Sequence, residues 1–166
     1  GIFSILAVMH HTAAFGLGFD DADALTGTLI GRPKSATFRT GDVVGLDTLA
    51  HVIRTMQTTL TDDPWHQYFQ VPGWMEDLIT AGHLGQKSKQ GVFRKVGKVF
   101  EVYDPAHSSY REQNAEVGAV VREIFANNDW GSRLSALRTS EDRQAQFLWA
   151  IFRDVFHYCA WHLANI

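Results

Sequence analysis

A mainly α-helical fold with one small β-hairpin is predicted, on three observations. Apolar residues recur at helical spacing (i, i+3, i+4, i+7) in several separate stretches. Glycine and proline clusters punctuate those stretches. A single run, Val92 to Asp104, gathers β-branched and aromatic residues around a central Gly97-Lys98 pair, the pattern of a hairpin. With 166 residues, 45% hydrophobic and 20% charged, the chain has a folded rather than a disordered composition.

Ile2, Ile5, Leu6, Met9 and Ala13 share one helical face, with Phe3, Ala7 and Val8 on the other. A first helix apolar all round belongs at the centre of a core. Gly16-Leu17-Gly18 ends it. Asp20 or Asp21 is expected to cap a second helix reaching about Ile30, with Asp23 near its positive end. Gly31-Arg32-Pro33 reads as a turn, because glycine tolerates positive φ and proline fixes φ near −65°. Ser35 is expected to N-cap a short helix carrying Phe38, Val43 and Val44, which Gly45 interrupts. Asp47 then stands to cap a helix with Leu49, Val52, Ile53, Met56 and Leu60 on one face.

Thr61 to Pro64 is a loop, with Trp65, Tyr68, Phe69 and Trp74 clustered around it. Pro72 opens another helix that ends near Gly82 or Gly85. After the hairpin, Pro105 to Tyr110 reads as a linker. Val117, Val120, Val121, Ile124 and Phe125 form an amphipathic helix; Asn127 to Asp129 ends it and starts the next, with Trp130, Leu134 and Leu137. Ser140 to Arg143 opens a last helix whose stripe is Leu148, Ile151, Phe152, Val155, Phe156, Cys159 and Leu163. Two unequal helical units result, 1–106 and 107–166.

The run Gly31 to Leu49 is a tight helical corner with no catalytic chemistry evident in it. Its pattern Phe38-x-x-x-Asp42-x-x-Gly45-Leu46-Asp47 resembles the motif in the C-terminal helical domain of the 3-hydroxyacyl-CoA dehydrogenases, the NAD-dependent enzymes of fatty-acid β-oxidation. The wording is closest to large fused bacterial members that also carry an enoyl-CoA hydratase domain. Ala36-Thr37 stands where many members have Gly-Pro. Gly85-x-Lys87 followed by Gly91-Val92-Phe93 is similar to the turn that closes the family's first helical domain.

The resemblance implies a helical C-terminal domain of the 6-phosphogluconate/3-hydroxyacyl-CoA dehydrogenase type. It implies that Phe38, Asp42, Gly45 and Asp47 are structural, that 1–106 is a first copy of this domain, and that 107–166 is the truncated start of a second. The last helix would be the counterpart of the first. It places the NAD-binding glycine motif, the catalytic His–Glu pair and a further active-site Asn upstream, with an N-terminal Rossmann domain of the same polypeptide. No catalytic or cofactor-binding residue is therefore expected in this chain. A chain that begins and ends inside helical patterns is expected to be a piece of such an enzyme, inactive alone. The parent would bind NAD and an acyl-CoA, and a homodimer is a possible partner.

The residues themselves offer few rival chemistries. Gly16-Leu17-Gly18 follows a helix, whereas a dinucleotide fingerprint follows a strand. Eight histidines invite a metal, but adjacent His10 and His11 diverge by about 100° on a helix, and His157 and His162 are also off-face. No Cys-x-x-Cys or His-Glu-x-x-His pattern occurs, so no metal is expected. Cys159 reads as a small buried hydrophobe.

Lys87, Lys89, Arg94, Lys95 and Lys98 form the basic cluster. Lys87 and Lys89 are candidates for contacting an anionic ligand such as coenzyme A phosphates; the plainer reading is a solvated turn that keeps strand edges soluble. The aromatic group could wall an acyl groove or simply fill a core. A net charge of −3 gives no general attraction for nucleic acid or anionic membrane. The apolar N-terminal run is too short to span a bilayer. One cysteine excludes an internal disulfide and makes the cytoplasm the default location. The rival function is a non-catalytic helical interaction module that shares the corner motif.

Overall fold

The computed structural model of the chain describes residues 1–165, and eight α-helices and a three-stranded sheet run through them. Helix α1 (Ile2–Ala14) buries Phe3, Leu6, Ala7, Val8 and Met9, so residues from both predicted faces enter the core. Gly16 stops it at φ +60, a backbone conformation that favours glycine. Helix α2 (Phe19–Thr26) starts from Gly18 and stops short of Ile30; a 3₁₀ turn, Thr28–Ile30, completes the run.

Helices α3 (Phe38–Val44) and α4 (Leu46–Thr59) make the corner, with Gly45 between them at φ +97. Phe38 is fully buried, stacked on Phe19, while Val43 and Val44 are exposed. α4 turns Leu46, Leu49, Ala50 and Ile53 inward, and Leu60 ends it at the surface. Helix α5 (Gly73–Thr80) follows, closed by Gly82 at φ +78.

Three expected caps are corrected. Asp20 and Asp21 sit inside the first turn of α2 and do not cap it; Asp20 instead holds Arg111, and Asp21 accepts the Glu116 N–H. Ser35 does not cap α3, because its hydroxyl accepts from Thr40. Asp47 does not cap α4; it is the second residue of that helix and pairs with Lys87. For the three aspartates a partner distant in sequence outcompetes the local cap, whereas Ser35 is engaged by Thr40 five residues on.

Strands β1 (Phe93–Val96) and β2 (Val99–Asp104) form the expected hairpin, turning at Gly97 with φ +61. A third strand, β3 (Ser109–Glu112), lies where a linker was expected. It pairs antiparallel with β2, placing Val102 opposite both Phe93 and Arg111. Ser109-Tyr110-Arg111-Glu112 has no run of β-branched residues to announce a strand. It is held by the Tyr103–Tyr110 cross-strand pair and by Arg111 reaching Asp20.

Helices α6 (Ala119–Ala126), α7 (Trp130–Thr139) and α8 (Arg143–Ala164) finish the chain. Asp129 and Asp142 cap the last two by accepting the Ser132 and Ala145 N–H groups. α8 runs antiparallel to α1: Phe147 meets Phe15, Asp154 meets His11, and Tyr158 stacks on Phe3. The two helices differ in length by 22 residues against 13, or about 33 Å against about 20 Å. Toward the end of α8, Trp161 and Leu163 are exposed, and Phe156 and Cys159 face away from the core. The expected buried position of Cys159 is thus corrected. Among the described residues no helix is long and apolar enough to cross a membrane.

Candidate functional site

Asp42 sits in the corner and reaches across to the sheet. Its carboxylate accepts the N–H groups of Val92 (2.8 Å) and Phe93 (2.9 Å), where β1 begins. The approach is so close that only glycine fits beside it. A β-carbon on Gly91 would lie 2.2 Å from Asp42 Oδ1, and one on Gly85 would lie 2.3 Å from the Asp42 carbonyl oxygen. Leu46 N–H donates to the Leu84 carbonyl at 2.9 Å. Lys87 Nζ lies against Gly45 and donates to both Asp47 oxygens at 2.6 and 2.7 Å. Phe38, Asp42, Gly45 and Asp47 thus act with Gly85, Lys87 and Gly91 as one joint between corner and sheet. Sequence reasoning found both halves without showing that they touch.

Asp23 is the residue that reasoning missed. From α2 it accepts the N–H groups of Thr37 (3.1 Å), Phe38 (2.7 Å) and Arg39 (2.9 Å), the open N-terminus of α3. Nothing in its local spacing signals a cap fourteen residues away.

Burial pushes the carboxyls of Asp23 and Asp42 up to about 6, against the downward pull of their N–H donors. The folded-state value then lies above the unfolded one, so between pH about 4 and 6 the folded chain holds the extra proton. Stability from each group is greatest at the acid end of that window and is lost as pH rises through 6. Asp42→Asn removes one of these titrations. Between pH 4 and pH 7 the wild-type unfolding free energy should fall relative to D42N by roughly 2 kcal/mol. Urea titrations at the two pH values check this, and parallel pH curves would refute it.

Beside the joint opens a cavity of about 830 Å³, walled on one side by the corner and on the other by the 85–90 turn and the sheet. Lys34, Arg39, Lys89, Arg94 and Lys95 line it, with Phe93 and Phe100. The carboxylates in the wall are engaged: Asp23 and Asp42 bind backbone N–H groups, and Asp20 binds Arg111 at 2.7 and 3.0 Å. Burial opposes the charge on Asp20, but the Arg111 guanidinium holds its carboxyl below the usual range. Arg94 pairs with Glu101 at 3.1 Å. Arg39 lies over the Phe93 ring at 4.2 Å and donates to Gln113. Of the two candidate lysines, Lys89 lines the cavity and Lys87 is held outside it by Asp47. Lys98 borders an adjoining depression with Phe100 and Gln113.

Two histidine-rich places have structural geometry. His11 Nε2 meets Asp154 Oδ2 at 2.6 Å, and Asp154 also accepts from Tyr68 (2.8 Å) and Arg153 (2.9 Å). Burial opposes the Asp154 charge, but Arg153, His11 and Tyr68 hold its carboxyl below the usual range. Burial and the bond to Asp154 push Tyr68 up to about 12. The cluster clasps α1 to α8 and faces no cavity. His162 pairs with Asp63 at 3.1 Å. Among the described residues, no three His, Cys, Asp or Glu side chains converge as a metal site.

The aromatic group divides. Trp65 and Tyr68 pack on Phe3, Trp74 packs on Phe19 and Phe38, Phe69 is buried, and none of the four lines the cavity. Gly16-Leu17-Gly18 joins α1 directly to α2, so it is a helix–helix link and not a strand-to-helix phosphate loop.

Residues 3–95 match the family described as 3-hydroxyacyl-CoA dehydrogenase, C-terminal domain. Over all 166 residues the chain is 35% identical to a probable 3-hydroxyacyl-CoA dehydrogenase of Bacillus subtilis (strain 168) and spans 21% of that protein's length. Over 95 residues, 57% of the chain, it is 36% identical to a probable 3-hydroxyacyl-CoA dehydrogenase of Deinococcus radiodurans, covering 27% of that relative. No solved structure matches it significantly. The matched span runs from within α1 into β1 and contains every residue of the joint, and the observed helical fold agrees with it. The chain belongs to the 3-hydroxyacyl-CoA dehydrogenase family and carries its C-terminal helical domain.

Proposed function

We propose that this chain is the helical region of a cytoplasmic, NAD-dependent (3S)-3-hydroxyacyl-CoA dehydrogenase of fatty-acid β-oxidation. In that reading it covers the acyl-CoA cleft against the Rossmann domain of the same polypeptide and supplies interdomain or dimer contacts. NAD and the catalytic groups belong to that other domain. Residues 1–106 form the first helical copy, and 107–166 begin a second in which α8 is the counterpart of α1.

The observation that supports this best is the joint. Asp42, Gly85 and Gly91 make a rigid corner in which one carboxylate and two glycines fix a helix pair against a sheet. A surface so fixed is suited to forming one wall of a cleft whose chemistry sits opposite. The test is an assay of the full-length polypeptide containing this chain. It should reduce NAD with (3S)-3-hydroxybutyryl-CoA, while the 166-residue piece alone should not. NADH formation by the piece alone would refute the assignment of catalysis to another domain. No turnover by the full-length protein would favour a non-catalytic helical module.

A further inference from the structure

The cavity beside the joint has a charge that the chain as a whole lacks. The protein carries a net charge of −3, yet five of its cationic side chains line this one space against three carboxylates, all three already engaged. Lys34, Lys89 and Lys95 matter most, because among the described residues none of the three is in an ion pair. They come from separate places: the turn before α3, the turn before β1, and β1 itself. A merely solvated turn would not bring Lys34 to the same opening from across the fold.

Lys89 has a further peculiarity. Its backbone is left-handed, at φ +60, a conformation in which a residue with a β-carbon is strained. Such strain is informative where it places a side chain at a cavity. The same cavity is lined by the aromatic rings of Phe93 and Phe100. Phe100 is 47% exposed, an unusual state for a phenylalanine beside so many charges, with Lys95 Nζ 5.4 Å from its ring centre. Lysines lining the same cavity as an exposed aromatic ring suit a ligand that joins phosphates to a planar base. The volume, about 830 Å³, lies in the range of small-molecule sites.

We propose that this cavity holds the phosphorylated adenosine end of coenzyme A, with the phosphates at Lys34, Lys89 and Lys95 and the adenine against Phe100. The choice of coenzyme A as the source of that nucleotide rests on the acyl-CoA dehydrogenase reading above. The nucleotide end is thereby anchored away from the reacting carbon, and the cavity contributes to substrate affinity without taking part in chemistry.

The test uses the full-length polypeptide and two thioesters of the same acid, one of coenzyme A and one of N-acetylcysteamine, which has no nucleotide. The triple variant Lys34→Ala, Lys89→Ala, Lys95→Ala should raise KM for (3S)-3-hydroxybutyryl-CoA at least tenfold with little change in kcat. KM for the N-acetylcysteamine thioester should not move. Titration with adenosine 3′,5′-bisphosphate should show binding that the triple variant weakens by a similar factor and that falls steeply with added salt. Phe100→Leu, which leaves every charge in place, should weaken the same titration.

An unchanged KM for the coenzyme A thioester, or equal shifts for both thioesters, overturns the proposal while leaving the dehydrogenase reading intact. If neither thioester is turned over, the dehydrogenase reading fails and the titration alone decides the cavity. NAD or inorganic phosphate competing as well as adenosine 3′,5′-bisphosphate overturns the assignment to coenzyme A.

Discussion

Gly91→Ala should destabilise this chain by about 3–5 kcal/mol, the sum of an overpacking cost and of buried hydrogen bonds lost. The added methyl group would meet Asp42 Oδ1 at 2.2 Å and the Gly85 α-carbon at 2.5 Å. Neither neighbour has room to give. Gly85 is itself pressed on the Asp42 backbone, and Asp42 is held by the two N–H groups of Val92 and Phe93. The methyl can be admitted only by pushing the carboxylate off those donors, which strands them in a buried place. A loss of that size is a large share of the total stability of a small domain, about 5–15 kcal/mol. Gly73→Ala is the matched control, because nothing lies within 4 Å of a β-carbon there. Its effect should be near zero or slightly stabilising. Urea midpoints at constant m-value read both. A Gly91→Ala midpoint close to that of Gly73→Ala would show that the joint is looser than its geometry.

Asp23→Ala should cost on the order of 3 kcal/mol and should loosen α3 before the rest of the fold. Three N–H groups lose their acceptor, and two of them belong to the buried residues Thr37 and Phe38. No nearby oxygen replaces it: the Ser35 hydroxyl is engaged with Thr40, and the Thr37 hydroxyl with Thr26. Part of the loss is offset, since burial disfavours the Asp23 charge in the first place. Amide hydrogen exchange supplies the sharper test. The Phe38 amide should lose protection in the variant while the Val92 amide, bound to Asp42, keeps it. Equal loss at both sites would mean that Asp23 acts on the whole fold and not on the helix terminus.

Helical periodicity made most of the fold legible, and the reason is local. α1, α4, α6 and the first half of α8 each bury residues spaced by three or four, a pattern that needs no knowledge of the partner. The starts of the last two helices were legible as the clusters Asn127–Asp129 and Ser140–Arg143, within which Asp129 and Asp142 make the caps, each accepting an N–H three residues ahead. What failed was every feature decided across the fold. Asp20 and Asp47 looked like local caps and Asp23 like a residue favouring its own helix's positive end, yet all three accept from partners 14 or more residues away. β3 was invisible because its partners, not its composition, make it a strand. The stripe on α8 runs on to Phe156, Cys159 and Leu163, which are exposed, and periodicity alone does not report which of its positions are covered.

The cavity was half legible. The charges at 87–98 were visible as a cluster, and the corner carried Lys34 and Arg39 in full view. That the two meet in one space depends on the Asp42 joint.

The clasp between His11 and Asp154 spans 143 residues of chain. A ribosome releasing about 5–20 residues per second leaves an interval on the order of ten seconds between the emergence of α1 and that of its companion α8. During that time the most apolar of the described helices has been made but lacks its partner α8. Holding factors at the exit tunnel, or an early collapse onto α2, would have to shelter it until the late helix arrives.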